Sequence, residues 1–256
     1  MTTTYKGAEI FFTSHGNGNP LILLHGFLES SNIWGDFIHE YQTGRQIVTI
    51  DLPGHGKSGC FDKVHSMEEM AEAVHEVLST LNLQKADFTG HSMGGYVALA
   101  YLEKYPKAIN KLILLNSTPA ADSEEKKQNR ERSIAVVRKN KPAFVSMAIS
   151  NLLSPENSEK FKDELSIMKK EAEIFPLQGI TAALEGMKIR TNRISILKNF
   201  SGEKYIITGR RDPILEYLDI KTIAQQTECS FIPYPDGHLA LIENKADFLQ
   251  TMYFIE

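Results

Sequence analysis

The stretch Phe88-Thr89-Gly90-His91-Ser92-Met93-Gly94-Gly95-Tyr96-Val97-Ala98-Leu99 reads as the end of a buried strand, a sharp turn carrying one serine, and the start of a helix. Gly90 and Gly94 omit the Cβ atoms that would collide where a strand reverses so tightly into a helix. Ser92, at the apex, is expected in a strained backbone conformation with its hydroxyl pointing outward. Gly95 and Ala98 are small, so the helix can lie close against the strand it has just left. The pattern G-x-S-x-G arises by chance in roughly one chain of this length in ten, with Gly at about 7% of residues. Its surroundings must carry the argument.

Outward from this turn, short apolar runs alternate with helical patterns. Leu21-Ile22-Leu23-Leu24 and Leu112-Ile113-Leu114-Leu115 are wholly apolar, as strands buried on both faces of a parallel sheet should be. Ala8 to Thr13, Gln46 to Ile50, Lys85 to Thr89, Tyr205 to Thr208 and Ser230 to Tyr234 complete the strand set. Met67, Met70, Val74, Val77, Leu78 and Leu81 fall at helical spacing, and Ser66 with Glu69 marks the start as a capping box. Met93 to Tyr105 forms the helix leaving the serine turn, and a C-terminal helix holds Ala246 to Met252. Strand–helix alternation of this kind predicts a doubly wound, mostly parallel sheet of the α/β class.

The rhythm breaks once. From Pro119 to Phe200 only helical segments are expected, with apolar positions at Ile134 and Val137, then Phe144, Met147, Ala148, Leu152 and Leu153, then Ile180, Leu184 and Met187. The chain is therefore divided into a core, 1–118 and 201–256, and an inserted helical cap, 119–200. Because the insertion follows a strand whose C-terminal end lies beside the serine turn, it is read as a lid over that serine, where open α/β sheets bind ligands.

Three more segments follow strand ends: His25-Gly26-Phe27-Leu28, Gly209-Arg210-Arg211-Asp212-Pro213 and Pro235-Asp236-Gly237-His238-Leu239. In a parallel sheet these ends share one edge, so Ser92, Asp212 and His238 can meet although far apart in sequence. A serine hydroxyl is a weak nucleophile and requires an adjacent base. An imidazole can serve near neutral pH, and a carboxylate on its other nitrogen fixes the tautomer and stabilises the charged form. Duller roles exist for each: a turn serine, a turn or N-cap aspartate, a helix-capping histidine.

With these residues in place the sequence resembles the α/β-hydrolase superfamily over nearly its whole length. The matching pieces are His25-Gly26-Phe27, Asp51-Leu52-Pro53-Gly54-His55-Gly56-Lys57-Ser58, the serine turn, Gly209 to Pro213, and Gly237-His238. The order Ser, Asp, His is the one such enzymes use. The resemblance implies catalytic residues Ser92, Asp212 and His238, an oxyanion hole from the backbone N–H groups of Phe27 and Met93, and structural roles for His25 and His55. His91 is expected to shape the turn, and His15, His39, His65 and His75 to lie on the surface. Trp34 and Phe37 either line a pocket mouth or pack on the sheet. Of Lys126, Lys127, Arg130, Arg132 and Arg138, most should be solvated, with one arginine a candidate to turn inward toward a substrate carboxylate.

The expected chemistry is two-step acyl transfer on an ester-like substrate (carboxylic ester, lactone or thioester) with an apolar acyl or alcohol part, without metal or organic cofactor. Epoxide hydrolases and haloalkane dehalogenases carry aspartate where Ser92 stands. Menaquinone-pathway lyase-type synthases share the His25-Gly26-Phe27-Leu28 segment but favour an arginine at the place of Tyr96. Carbon–carbon bond hydrolases and enol-lactonases use the same three residues and stay open, as does a non-catalytic ligand receptor signalling through its lid.

Composition is that of an ordinary globular protein of 256 residues, 42% of them hydrophobic. The net charge of -4 argues against nucleic acid or an anionic membrane surface as partner. No run is long and apolar enough for a membrane span, and Met1 to Lys6 shows no signal core. Two distant cysteines, Cys60 and Cys229, suit a reduced chain, so a cytoplasmic location is expected. Oligomeric state and natural substrate are not legible.

Overall fold

The computed structural model describes residues 1–41 and 43–255. Strands β1 (Thr2–Tyr5), β2 (Ala8–His15), β3 (Asn19–Leu24), β4 (Arg45–Ile50), β5 (Ala86–His91), β6 (Ile109–Leu115), β7 (Glu203–Gly209) and β8 (Ser230–Tyr234) form one sheet. Its order is β1-β2-β4-β3-β5-β6-β7-β8. β1 and β2 pair antiparallel, as do β2 and β4, and every other neighbouring pair is parallel. The expected mostly parallel, doubly wound α/β sheet is thus present.

The apolar strands read as they do because both faces are covered. Ile22 and Leu24 face the larger core beside the helices Met67–Thr80 and Met93–Lys104, whereas Leu21 and Leu23 face a second core holding Trp34, Phe37 and Phe248. Burying each such side chain is worth about 1.5–3 kcal/mol. Trp34 and Phe37 pack with Phe248 at ring-centroid distances of 6.4 and 5.7 Å, and both also border a cavity. The helix Met67–Thr80 begins with the capping box of Ser66 and Glu69.

Register brings the functional loops together. Leu24 lies opposite Gly90, Gly90 opposite Leu114, and Leu114 opposite Ile206, so β3, β5, β6 and β7 end at nearly the same height. The loops after β3, β5, β6, β7 and β8 leave from this one edge.

Between β6 and β7 stand helices Glu124–Lys139, Lys141–Ser150, Lys162–Ile174, Leu177–Lys188 and Ile194–Asn199, with no strand among the described residues there. Ile134, Val137, Ile180, Leu184 and Met187 are buried as the spacing predicts. Met147 is not: it is 53% exposed, and Val145 and Ile149 share the inward face with Phe144. This layer contacts the loops of the sheet edge. The Glu171 carboxylate accepts from Ser30 Oγ and Asn32 Nδ2 at 2.5 and 2.6 Å, and His238 N–H donates to Leu152 O at 3.0 Å. Neither cysteine is in a disulfide.

Candidate active site

The turn after β5 has the strain its sequence foretells. Ser92 has φ 49° and ψ -114°, a conformation side-chain-bearing residues rarely adopt. A Cβ at Gly90 would strike the backbone of Gly94, and one at Gly94 would strike Leu24 O. Only glycines let β5, β3 and the helix Met93–Lys104 approach this closely. The turn is pinned by Ser92 N–H to Leu115 O at 2.9 Å, while Ser92 O accepts from Gly95 N–H at 3.0 Å and Ser117 Oγ at 2.8 Å.

Ser92 Oγ lies 2.9 Å from His238 Nε2, and His238 Nδ1 lies 2.7 Å from Asp212 Oδ2. The three residues come from the loops after β5, β7 and β8, as the strand-end argument predicts. The Asp212 carboxylate also accepts from Asn116 Nδ2 at 2.9 Å and from the Ile214 and Leu215 amides at 2.8 and 3.0 Å. Burial pushes this carboxyl up; His238, Asn116 and the Ile214 amide outweigh it and hold it below its ordinary value. A carboxylate there accepts a hydrogen bond from Nδ1–H and so keeps the proton on Nδ1, leaving Nε2 free to accept from the serine hydroxyl.

Phe27 and Met93 stand at the same edge, Met93 at the first position of its helix, where backbone N–H groups lack intrahelical partners. Neither amide has an acceptor among the described residues.

His25 and His55 take no part in this chain of bonds. His25 Nδ1–H donates to Gly26 O at 2.8 Å, and Nε2 accepts from Leu52 N–H at 2.9 Å, tying the loop after β3 to the one after β4. His55 is fully buried; burial, then His25 nearby, drives its imidazole down to about 3. His65 departs from its expected surface place: it is buried, with Nδ1 3.2 Å from Pro53 O and its ring against Phe61. Arg130 does turn inward, but toward Asp122, whose Oδ2 accepts from its Nε at 2.5 Å. Asp122 also pairs with Arg190, which stacks over the Tyr96 ring at 4.1 Å. The guanidinium near Tyr96 therefore comes from residue 190.

Four polar residues of this region escape sequence reading: Glu29, Asn116, Ser117 and Glu243. Asn116 and Ser117 carry a usable signal, since they follow the last apolar residue of β6 as His25 follows that of β3. Glu243 accepts from Asn157 Nδ2 at 2.7 Å, Ser154 N–H at 3.2 Å and Leu239 N–H at 3.3 Å, bracing the His238 loop against the inserted helices. A cavity of about 520 Å³ lies beside this centre, lined by Leu28, Glu29, Trp34, Phe161, Met168 and Glu171 among others; Ser92 and His238 are not in its wall. Among the described residues no cluster of His, Cys, Asp or Glu is arranged to hold a metal, and no helix is long and apolar enough to cross a membrane.

Comparison with known proteins adds the family. An esterase from Thermogutta terrifontis superposes with a TM-score of 0.91 at 29% identity, covering 98% of this chain and 94% of that one. The AB hydrolase superfamily protein YisY of Bacillus subtilis is 25% identical over 255 residues, 94% of this chain and 93% of its own. The abhydrolase domain-containing protein abhd-5.2 of Caenorhabditis elegans is 35% identical over 99 residues, 37% of this chain and 22% of that protein. The match likewise spans less than half the length of several other curated relatives. The profile of the alpha/beta hydrolase fold family covers residues 19–245, and the chain belongs to that family.

Proposed function

We propose that the protein is a serine hydrolase acting on small ester-like substrates through an acyl-enzyme, with residues 119–200 as its cap. The observation that carries this reading is the continuous path Ser92 Oγ, His238 Nε2, His238 Nδ1, Asp212 Oδ2, with steps of 2.9 and 2.7 Å across the ring. The resemblance to an esterase at 29% identity over 98% of the chain supports the same chemistry.

In the first step His238 takes the Ser92 proton as Oγ attacks the carbonyl carbon. The carbonyl oxygen gains negative charge, which the free N–H groups of Phe27 and Met93 stabilise together with the positive end of the helix dipole. His238, now an imidazolium held by Asp212, protonates the departing alcohol. Water then enters, gives its proton to His238, and releases the acid by the same route. The substrate class is a carboxylic ester, lactone or thioester with an apolar part.

Ser92→Ala should lower kcat for p-nitrophenyl acetate by about a millionfold, with secondary structure and melting temperature preserved. Circular dichroism and steady-state kinetics read both. Hydrolysis by the variant at the wild-type rate would exclude the mechanism.

A further inference from the structure

Beneath the Ser92–His238–Asp212 chain lies a second one that the acyl-transfer steps do not use. Glu29 and His91 are buried, at 3% and 0% exposure. His91 Nδ1 is 2.9 Å from Glu29 Oε2, and His91 Nε2 is 3.0 Å from the main-chain oxygen of His238. The same Glu29 oxygen accepts from Gly26 N–H at 2.6 Å, one residue before Phe27. A carbonyl oxygen can only accept, so Nε2 must carry a proton. A carboxylate oxygen already taking an amide N–H is best matched by a protonated Nδ1 as well.

Burial opposes charge on both groups, yet their mutual attraction wins. The Glu29 carboxyl is held below its ordinary value and the His91 imidazole above it. The other titratable groups facing the pair are His25 on the Glu29 side, and Asp212 and His238 on the His91 side. The pair thus joins three loops, those after β3, β5 and β8. His238 is held at both main-chain atoms, its oxygen by His91 and its N–H by Leu152 O.

We propose that Glu29 and His91 are positioning residues: a buried carboxylate–imidazolium pair that fixes His238 and the Phe27 loop relative to Ser92. This inference rests on the serine-hydrolase reading above. Small misplacements of reacting groups carry large rate penalties, on the order of a hundredfold for about 1 Å.

The test uses the full chain with p-nitrophenyl acetate and with a fluorophosphonate, whose reaction with Ser92 needs no knowledge of the natural substrate. Glu29→Gln and His91→Ala should each slow phosphonylation and kcat about tenfold to a hundredfold, with KM within about twofold. His91→Gln, which still presents an N–H toward the His238 carbonyl, should recover part of the loss. In nitrogen NMR of labelled histidines, His91 should carry a proton on both ring nitrogens in the wild-type chain and lose one in Glu29→Gln. Variants labelled at the wild-type rate would overturn the inference while leaving the hydrolase reading intact. A neutral His91 in the wild-type spectrum would overturn it too, even where Glu29→Gln fails to fold. A wild-type chain inert to the fluorophosphonate defeats the hydrolase reading itself.

Discussion

Ser92, Asp212 and His238 sit on loops that leave the C-terminal ends of β5, β7 and β8, each ending on a buried residue, whereas the helices between β6 and β7 turn Met147, Ile167 and Ile174 outward, at 53%, 67% and 78% exposure. Along the sheet edge the Asp212 carboxylate is tied down, accepting four hydrogen bonds, from His238, Asn116, Ile214 and Leu215. The helical layer is tied to the sheet side through Glu171, Leu152, the partners of Glu243, Ala182 and Arg193, yet it leaves long faces to solvent. The difference teaches a division of labour. Rigid strand ends hold chemistry to fractions of an ångström, while a layer with spare surface can change its side chains without disturbing that geometry.

Four substitutions probe this contrast. Asp212→Asn should have the largest effect, lowering kcat about ten-thousandfold because the wrong imidazole tautomer is then favoured; a loss under about tenfold in p-nitrophenyl acetate kinetics would mean the edge is not held as described. Asp122→Asn comes next. It leaves the buried Arg190 and the half-buried Arg130 without their carboxylate and should cost about 3–5 kcal/mol in urea unfolding, while reducing kcat far less than Asp212→Asn.

The third probes the sheet edge by acidity. The His55 imidazole, near its ordinary 6.5 when unfolded, is lowered to about 3 in the fold. The unfolded chain therefore binds the proton first, and stability present above the unfolded value is lost as pH falls from there toward the folded one. Between pH 7 and pH 5 the loss from this group is about 2 kcal/mol. His55→Gln should flatten the urea midpoint's pH dependence by that amount, and an unchanged slope would remove His55 from the acid sensitivity. Smallest of all, Ile174→Lys on the helix Lys162–Ile174 should shift stability by less than about 0.5 kcal/mol and leave kcat within about twofold.

The same contrast governs what sequence could reveal. The strands were legible because both faces are covered, so Leu21 to Leu24 and Leu112 to Leu115 have no polar member. Ser92, Asp212 and His238 were legible as a candidate set because each follows a strand end at one sheet edge, and a serine, a carboxylate and an imidazole brought together there have a shared chemical use. Glu29 and Glu243 were not, since a carboxylate reads the same in sequence whether solvated or buried on amides and an imidazole. The helix Lys162–Ile174 also escaped, its charged residues masking a stripe of Leu165, Met168 and Ala172. β1 escaped for a related reason: four residues at the sheet's edge, Thr2–Tyr5, carry too little apolar pattern to stand out. His65 was misplaced on the surface because nothing local announces that Pro53 O and Phe61 will enclose it.

The bond from His238 N–H to Leu152 O ties the base of the proposed mechanism to the very layer that most invites redesign. Shortening that layer to admit bulkier substrates would untether the imidazole, giving a roomier but slacker enzyme. A transplant from a relative must bring a main-chain oxygen to the same amide, and a randomised library gains most by leaving residues 152–157 alone.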